Sequence, residues 1–163
     1  VAASTGAREE VALLAGLAAL TGPKHGAASS VVLTFLHQSK GLKPLKLLQA
    51  LSTSGQALPG FSHPLYPQGD PRFAPLFEAA QRIAPRASAL KRVRELIRWA
   101  ARVRDERPNV DLGLAALTLA LGASTELAPF LFAIGRMAGW FAHAREQTEQ
   151  GVLLRPRARY TGR

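Results

Sequence analysis

Three segments carry residues whose types and spacing could do acid–base chemistry. The first, GPKHG, places His25 just before a predicted helix. The dipole at a helix N-terminus disfavours an imidazolium and keeps the ring neutral. A neutral histidine can donate a hydrogen bond to a developing enolate oxygen. Taken alone, however, His25 is better explained as a polar loop residue between two helices.

The second segment, residues 58–72, is rich in glycine and proline, which restrict the backbone to a defined path. It carries His63 and Arg72 with Asp70 between them. We predict that Asp70 is structural and caps the next helix, and that His63 and Arg72 are functional.

The third segment is PNVD, in which Asp111 stands at the start of a predicted helix. Aspartate is a favoured helix cap there and contributes about 1 kcal/mol. Considered alone, Asp111 fits a cap better than a catalytic base.

Arginines near the C-terminus provide candidate anion-binding groups. Arg136 lies inside the most apolar predicted helix, and an unpaired buried guanidinium needs an anion. That anion is either a protein carboxylate, which is the usual case, or a ligand carboxylate. The tail arginines, Arg155 among them, alternate with proline and alanine and by themselves read as solvated charges.

The elements that must position these residues are helical almost throughout. No alternating apolar pattern indicates a strand, so we predict an all-α protein. Its last long helix is apolar nearly all round, which predicts burial on every side. The other helices are too few to cover it, so either further chain or a partner subunit must do so. Apolar periodicity and breakers predict helices over about 7–20, 27–38, 45–55, 73–84, 90–103, 112–121 and 126–147.

Composition bounds the function classes. The 163 residues contain no cysteine, which excludes disulfides, thiolate metal sites and cysteine nucleophiles. No apolar run reaches membrane-spanning length and no signal peptide begins the chain, so we expect a soluble cytoplasmic protein. The only methionine is Met137, which indicates a processed N-terminus or a fragment. The net charge of +10 suggests nucleic acid, but no DNA- or RNA-binding signature occurs, and acidic metabolites explain some arginines better.

Together, five motifs in order resemble the citrate synthase family. GPKHGA is similar to its GPxHG loop, and GFSHPLYPQGDPR to its second catalytic loop. PNVD matches its third catalytic motif, while IGRMAGWFAHAREQ and LLRPRARYTG resemble its closing helix and tail. The resemblance implies the citrate synthase fold and a homodimer. It divides this chain into 1–26 (large-domain helix and first loop), 27–121 (small domain) and 122–163 (C-terminal part of the large domain).

The resemblance also implies catalytic roles. Asp111 would remove a methyl proton from acetyl-CoA, and His25 would stabilise the enol at the thioester oxygen. His63 would hydrogen-bond or protonate the carbonyl of oxaloacetate as the carbon–carbon bond forms. Citryl-CoA would then be hydrolysed to citrate and coenzyme A.

Binding roles follow in the same way. Arg72 and Arg136 would hold the oxaloacetate carboxylates, and Arg155 would reach the site from the partner subunit. No metal or redox cofactor is implied, since acetyl-CoA is a substrate. The backbone that would hold coenzyme A includes Leu58, Gly60 and Ser62.

Departures from the family pattern leave alternatives open. Lys24 and Ser62 replace an apolar residue and a glycine common in the family, and Pro67 replaces a coenzyme-binding arginine of some relatives. A further substrate-binding histidine of the family would lie before Val1, so we expect the 163-residue chain alone to be inactive. The alternatives are 2-methylcitrate synthesis from propionyl-CoA, a non-catalytic binding or regulatory protein, and nucleic-acid binding suggested by charge alone.

Overall fold

The computed structural model describes residues 1–22, 26, 28–155, 157, 159, 161 and 162. Over these residues it contains helices and a single isolated β-bridge, and no strand. The predicted all-α fold is therefore confirmed. After a short 3-10 helix at Ala3–Thr5, the helices are α1 (Glu9–Leu20), α2 (Ala28–Gln38), α3 (Pro44–Thr53), α4 (Phe73–Ile83), α5 (Ser88–Val103), α6 (Val110–Leu121) and α7 (Leu127–Gln150).

The chain divides into two compact units. The terminal unit comprises residues 1–22 and 133–163, and the central unit comprises residues 23–132. The division that the resemblance implied, with a small domain at 27–121, stays a prediction.

The central unit is built around α6. This helix is apolar on nearly every side and is packed by α2, α4 and α5, while α3 packs on α5. Gly113 lets α4 approach closely, since a Cβ built there would lie 3.0 Å from Leu76 Cβ. The largest fully buried apolar side chains of this core are Leu33, Leu48, Leu90, Leu112, Val32 and Val93.

Within the terminal unit, α1 and the second part of α7 meet at a small residue. A Cβ at Gly16 would lie 3.0 Å from the indole of Trp140, so glycine is what permits this contact. The backbone N–H of Leu154 donates to Ser4 Oγ at 3.0 Å, which attaches the start of the tail to the 3-10 helix.

The apolar surface of α7 is partly exposed in the single chain, as expected from the small number of other helices. Phe130 is 59% exposed and Ile134 is 49% exposed, and Met137 and Phe141 are also exposed. An apolar sequence indicates that burial of the helix would be favourable, but it does not show which surface packs against it.

Two connections matter for function. The site loop, residues 54–72, joins α3 to α4, and the α5–α6 loop covers residues 104–109. The site loop contains no helix, as its glycine and proline content predicted. None of the described helices combines the length and apolarity needed to cross a bilayer.

Candidate active site

The site loop and the α5–α6 loop are joined through their backbones. Ser62 N–H donates to the carbonyl of Arg107 at 2.7 Å, and Asn109 N–H donates to the carbonyl of Gly60 at 2.9 Å. Two segments nearly fifty residues apart thereby meet at the start of α6. The close approach depends on Gly60, whose φ is +84° and where a Cβ would lie 3.0 Å from Leu112 Cβ.

Asn109 caps α6. Its Oδ1 accepts hydrogen bonds from the backbone N–H groups of Asp111 at 3.0 Å and Leu112 at 3.4 Å. Its Nδ2 donates to the carbonyl of Ser62 at 3.0 Å. The interpretation of Asp111 as the cap, which suits that residue taken alone, is therefore wrong, because an asparagine two residues earlier performs that role. Asp111 instead lies half-buried in the first turn of α6.

Asp70 supplies the buried charge that holds the site together. Its Oδ2 accepts from the backbone N–H of Val110 at 3.0 Å, and its Oδ1 from the backbone N–H of Arg72 at 3.0 Å. It also pairs with the guanidinium of Arg72 in a bidentate manner, with both N···O distances 2.8 Å. The prediction that Asp70 caps α4 is wrong, because Arg72 occupies the N-cap position of that helix. Its carboxylate instead connects the start of α4 to the start of α6.

The environment of Asp70 keeps its carboxyl ionised. Burial alone would raise the pKa of Asp70, but hydrogen bonds from the side chain and backbone of Arg72 and from Val110 outweigh it and lower the pKa. The pKa of Arg72 is raised, chiefly by its hydrogen bond with Asp70. Both partners of the pair therefore stay charged across the neutral range.

His63 lies beside the free edge of the Arg72 guanidinium. Its Nε2 is 3.3 Å from Arg72 Nη2, and its Nδ1 is 3.2 Å from the backbone nitrogen of Leu65. Both neighbours are donors, and a neutral imidazole can accept at only one nitrogen. In the tautomer that accepts at Nδ1 from the backbone N–H of Leu65, the proton is on Nε2. His63 and Arg72 then present N–H groups side by side, which suits a ligand carrying a carboxylate beside a carbonyl.

Asp111 and Tyr66 complete this cluster. Asp111 directly follows Val110, whose backbone N–H donates to Asp70, the partner of Arg72, and its negative charge makes a small contribution to the raised pKa of Arg72. The Tyr66 ring lies 5.3 Å from the Arg72 guanidinium carbon and 5.0 Å from the His63 ring centroid. The structure thus brings together three predicted residues, His63, Arg72 and Asp111.

The other predicted residues are placed as follows. His25 lies outside the described residues. Arg136 is exposed on α7, so its expected burial is wrong for the single chain, and Arg155 is exposed in the tail. Both belong to the terminal unit.

Of the residues predicted to hold coenzyme A, Leu58 is buried and Gly60 occupies the close contact described above. Ser62 is exposed and has φ of +60°, a left-handed conformation that favours glycine. Their role in binding coenzyme A stays a prediction.

Sequence reasoning missed Asn109 and Tyr66. An asparagine that follows proline and precedes an apolar helix is a cap signal, and it was available in PNVD. No comparable signal marked Tyr66, whose position depends on the fold of the site loop. Among the described residues, no group of three histidine, aspartate or glutamate side chains could hold a metal ion.

Residues 1–157 match the family model described as "Citrate synthase, C-terminal domain". Citrate synthase 2 of Bacillus subtilis is 35% identical over 156 residues, covering 92% of this chain and 41% of its own length. Putative citrate synthase 2 of Mycobacterium tuberculosis is 34% identical over 170 residues, covering 99% of this chain and 45% of its own length. The chain thus spans less than half the length of these curated relatives.

Solved structures agree. Citrate synthase of Pyrobaculum aerophilum superposes with a TM-score of 0.85 at 28% identity, covering all of this chain and 43% of that one. The ternary complex of citrate synthase from Thermoplasma acidophilum with carboxymethyl coenzyme A and oxaloacetate superposes with a TM-score of 0.79 at 27% identity, covering 99% of this chain and 46% of that one. Citryl-CoA lyase of Hydrogenobacter thermophilus superposes with a TM-score of 0.78 at 25% identity, covering 99% of this chain and 66% of that one. The predicted resemblance is confirmed, and the chain belongs to the citrate synthase family.

Proposed function

We propose that this chain carries acid–base and substrate-binding residues of an acyltransferase that condenses acetyl-CoA with oxaloacetate. One observation supports this most strongly. The paired donors of His63 and Arg72, held by buried Asp70, lie near the Asp111 carboxylate at the start of α6. Such a cluster offers positive charge for a dianion and a carboxylate base for a carbon acid.

Oxaloacetate is the ligand that the donor pair suits. Asp70 uses Nε and one hydrogen of Nη2 of Arg72, so the remaining Nη hydrogens can donate to a substrate carboxylate. The neighbouring Nε2–H of His63 donates to the ketone oxygen and polarises the carbonyl carbon. Family relatives include a citrate synthase solved with oxaloacetate and a coenzyme A analogue, which is consistent with this assignment.

Asp111 acts as the base in the proposed reaction. It takes a proton from the methyl group of acetyl-CoA, and the resulting enolate attacks the ketone carbon of oxaloacetate. His25 stabilises the thioester oxygen during this step, and His63 donates its proton to the new alkoxide. Water then cleaves the thioester of citryl-CoA, releasing citrate and coenzyme A.

The resemblance to the family assigns two further guanidinium groups, those of Arg136 and Arg155, to the oxaloacetate carboxylates, with Arg155 acting in a second copy of a homodimer. The exposed apolar residues of α7 are the surface that additional protein covers in such an assembly. Since relatives are more than twice as long, we expect the 163-residue chain alone not to turn over substrate.

The test is release of free coenzyme A from acetyl-CoA and oxaloacetate, measured for the native polypeptide that contains this sequence and for the 163-residue chain alone. We expect release from the former, and a loss of at least about 10³-fold in Asp111→Asn. Glu78→Gln, which neutralises an exposed carboxylate on α4, should leave the rate unchanged. Turnover by the 163-residue chain alone would overturn the requirement for further protein.

Two further substrates decide between closely related activities. A higher kcat/KM with propionyl-CoA would make the enzyme a 2-methylcitrate synthase. Cleavage of citryl-CoA without condensation would assign the lyase reaction, which the similarity to the Hydrogenobacter enzyme motivates. A folded native polypeptide that is silent with all three substrates would indicate a binding or regulatory role.

A further inference from the structure

A cavity of about 280 Å³ lies within the central unit, toward the end of α6 opposite the candidate active site. It is bordered by the end of α2 and the turn after it, by the start of α5, and by Leu119 near the end of α6. Leu119 follows Asp111 by eight positions, which is about 12 Å along a helix at 1.5 Å per residue. We call this cavity, bounded by Lys40, Arg92 and Leu119, the distal pocket. It uses none of the residues assigned to condensation.

Three basic side chains line the distal pocket. His37 lies in the last turn of α2, Lys40 in the turn that follows, and Arg92 in the second turn of α5. Over the residues that the structure describes, no acidic side chain lines the pocket, and none of these three side chains forms an ion pair. The pocket therefore presents two permanent positive charges and an imidazole without a protein carboxylate to neutralise them.

A backbone turn holds Arg92 at the edge of the pocket. The chain reverses after α2 at Gly41, whose φ is +91°, and Leu42 N–H donates to the carbonyl of Ser39 at 3.1 Å. The carbonyl of Leu42 in turn accepts from Arg92 Nη2 at 3.3 Å, across fifty positions of sequence. This bond uses one of the five guanidinium N–H groups, so others remain available to a ligand.

The remaining lining is mainly apolar. Leu36, Ala89 and Leu119 form what we call the apolar floor of the distal pocket. Ser88, the first residue of α5, adds a hydroxyl group at the positive end of that helix. The volume lies just below the range of about 300–1,000 Å³ that is usual for drug-sized ligands, so the pocket suits a compact molecule.

We propose that the distal pocket binds a small phosphate monoester with a short apolar body. Such a group carries a charge of about −1.5 to −2 at pH 7, which matches the two permanent charges of Lys40 and Arg92. Its three terminal oxygens accept hydrogen bonds from these two side chains and from His37, which retains an N–H in either protonation state. The carbon body then packs on the apolar floor. A carboxylate has one charge and two oxygens, and would leave one cation unmatched.

The test is isothermal titration calorimetry of the native polypeptide that contains this sequence, at pH 7 and about 0.15 M salt. The probes are n-butyl phosphate, inorganic phosphate, butyrate and n-butanol. We expect one n-butyl phosphate per chain, bound at least about tenfold more tightly than the other three, because it alone uses both the cations and the floor. Equal binding of inorganic phosphate would overturn the proposal and leave a plain anion patch. Tighter binding of butyrate would replace the phosphate with a carboxylate.

Two lysine variants locate the site. Lys40→Ala should weaken n-butyl phosphate binding about tenfold. Lys43→Ala removes the same charge three residues later, outside the pocket, and should change binding less than about twofold. Both lysines are exposed, so neither substitution should disturb the fold. Equal effects of the two substitutions would contradict the assignment.

A third variant separates the floor from the charge. Ala89→Leu fills part of the floor and keeps all three basic side chains. It should reduce the affinity for n-butyl phosphate to that for inorganic phosphate, and change binding of inorganic phosphate less than about twofold. Unchanged binding of n-butyl phosphate in Ala89→Leu would show that the carbon body does not lie in the pocket and would overturn the proposal.

The distal pocket and the proposed condensation are tested separately. Binding of n-butyl phosphate should persist in Asp111→Asn and in the presence of oxaloacetate, whereas coenzyme A release should persist in Lys40→Ala. Displacement of n-butyl phosphate by oxaloacetate would place it in the candidate active site and overturn the second site. Failure of coenzyme A release in the native polypeptide would leave the calorimetric result interpretable.

Discussion

Replacement of Asp70 by asparagine should destabilise the site loop, because an amide accepts hydrogen bonds at only one of its two atoms. Each carboxylate oxygen of Asp70 now accepts two bonds. Oδ1 serves the backbone N–H and Nε of Arg72, and Oδ2 serves Arg72 Nη2 and the backbone N–H of Val110. Whichever way the asparagine is turned, its NH₂ group faces two donors.

The size of the effect follows from burial. Removing one partner of a buried ion pair costs about 3–5 kcal/mol. The Asp70 side chain is fully buried, but the Arg72 side chain is 42% exposed and can recover hydration when the charge of Asp70 is lost. We therefore expect Asp70→Asn to lower the free energy of unfolding by about 2–3 kcal/mol.

Urea unfolding followed by far-ultraviolet circular dichroism at pH 7 measures this loss. Asp105→Asn is the matched control, because it neutralises a carboxylate that is 88% exposed in its pair with Arg107. Asparagine also tolerates the left-handed φ of +52° at that position, so the control should change stability by less than about 0.5 kcal/mol. Equal stability of the two variants would refute the role assigned to Asp70.

The pH dependence gives a second check. Because hydrogen bonds lower the folded pKa of Asp70 from its ordinary value of 3.8, the carboxylate stabilises the fold fully above that value. Its contribution is lost as pH falls below 3.8 through the lower folded pKa. Wild-type protein should therefore lose stability more steeply than Asp70→Asn in this acidic range.

Three further substitutions test the backbone of the site. Gly60→Ala should lower the free energy of unfolding by about 2–4 kcal/mol, because its Cβ would crowd Leu112 at a positive φ, and a neutral result would contradict the tight contact. Ser62→Gly should raise stability by about 1 kcal/mol in the same assay by relieving a φ of +60°, whereas Ser62→Ala should not. Asn109→Ala should cost about 1–2 kcal/mol through loss of the α6 cap, and Asn109→Asp, which retains the cap acceptor, should cost less. If alanine and aspartate are equally destabilising at 109, the donation from Nδ2 to the site loop matters more than the cap.

Helix positions could be predicted from sequence because breakers and apolar spacing are local signals. The helix expected over 27–38 occurs at Ala28–Gln38, and the one expected over 112–121 occurs at Val110–Leu121. In the latter case the two extra residues arise from the Asn109 cap, which begins the helix earlier than its apolar stripe indicates. Local signals therefore predict that a helix is present but do not fix the residue at which it begins.

Tertiary partners could not be predicted in the same way. The hydrogen bond from Val110 N–H to the Asp70 carboxylate joins residues forty positions apart, and neither residue type indicates that the two are partners. Arg136 was expected to be buried because its neighbours are apolar, yet it is exposed on the single chain. Both outcomes depend on which surfaces pack against each other, and a local sequence pattern does not give that information.

The arrangement at α6 separates holding the fold from doing the chemistry. Asn109 and Asp70 satisfy the first backbone N–H groups of α6, so the helix start does not depend on the Asp111 side chain as its cap. Asp111→Asn should therefore cost less stability than Asp70→Asn while removing the proposed base, whereas Asp70→Asn should reduce both stability and activity. If Asp111→Asn proved as destabilising as Asp70→Asn, Asp111 would have to be reinterpreted as a structural residue, and the loss of turnover in that variant would no longer identify a catalytic base.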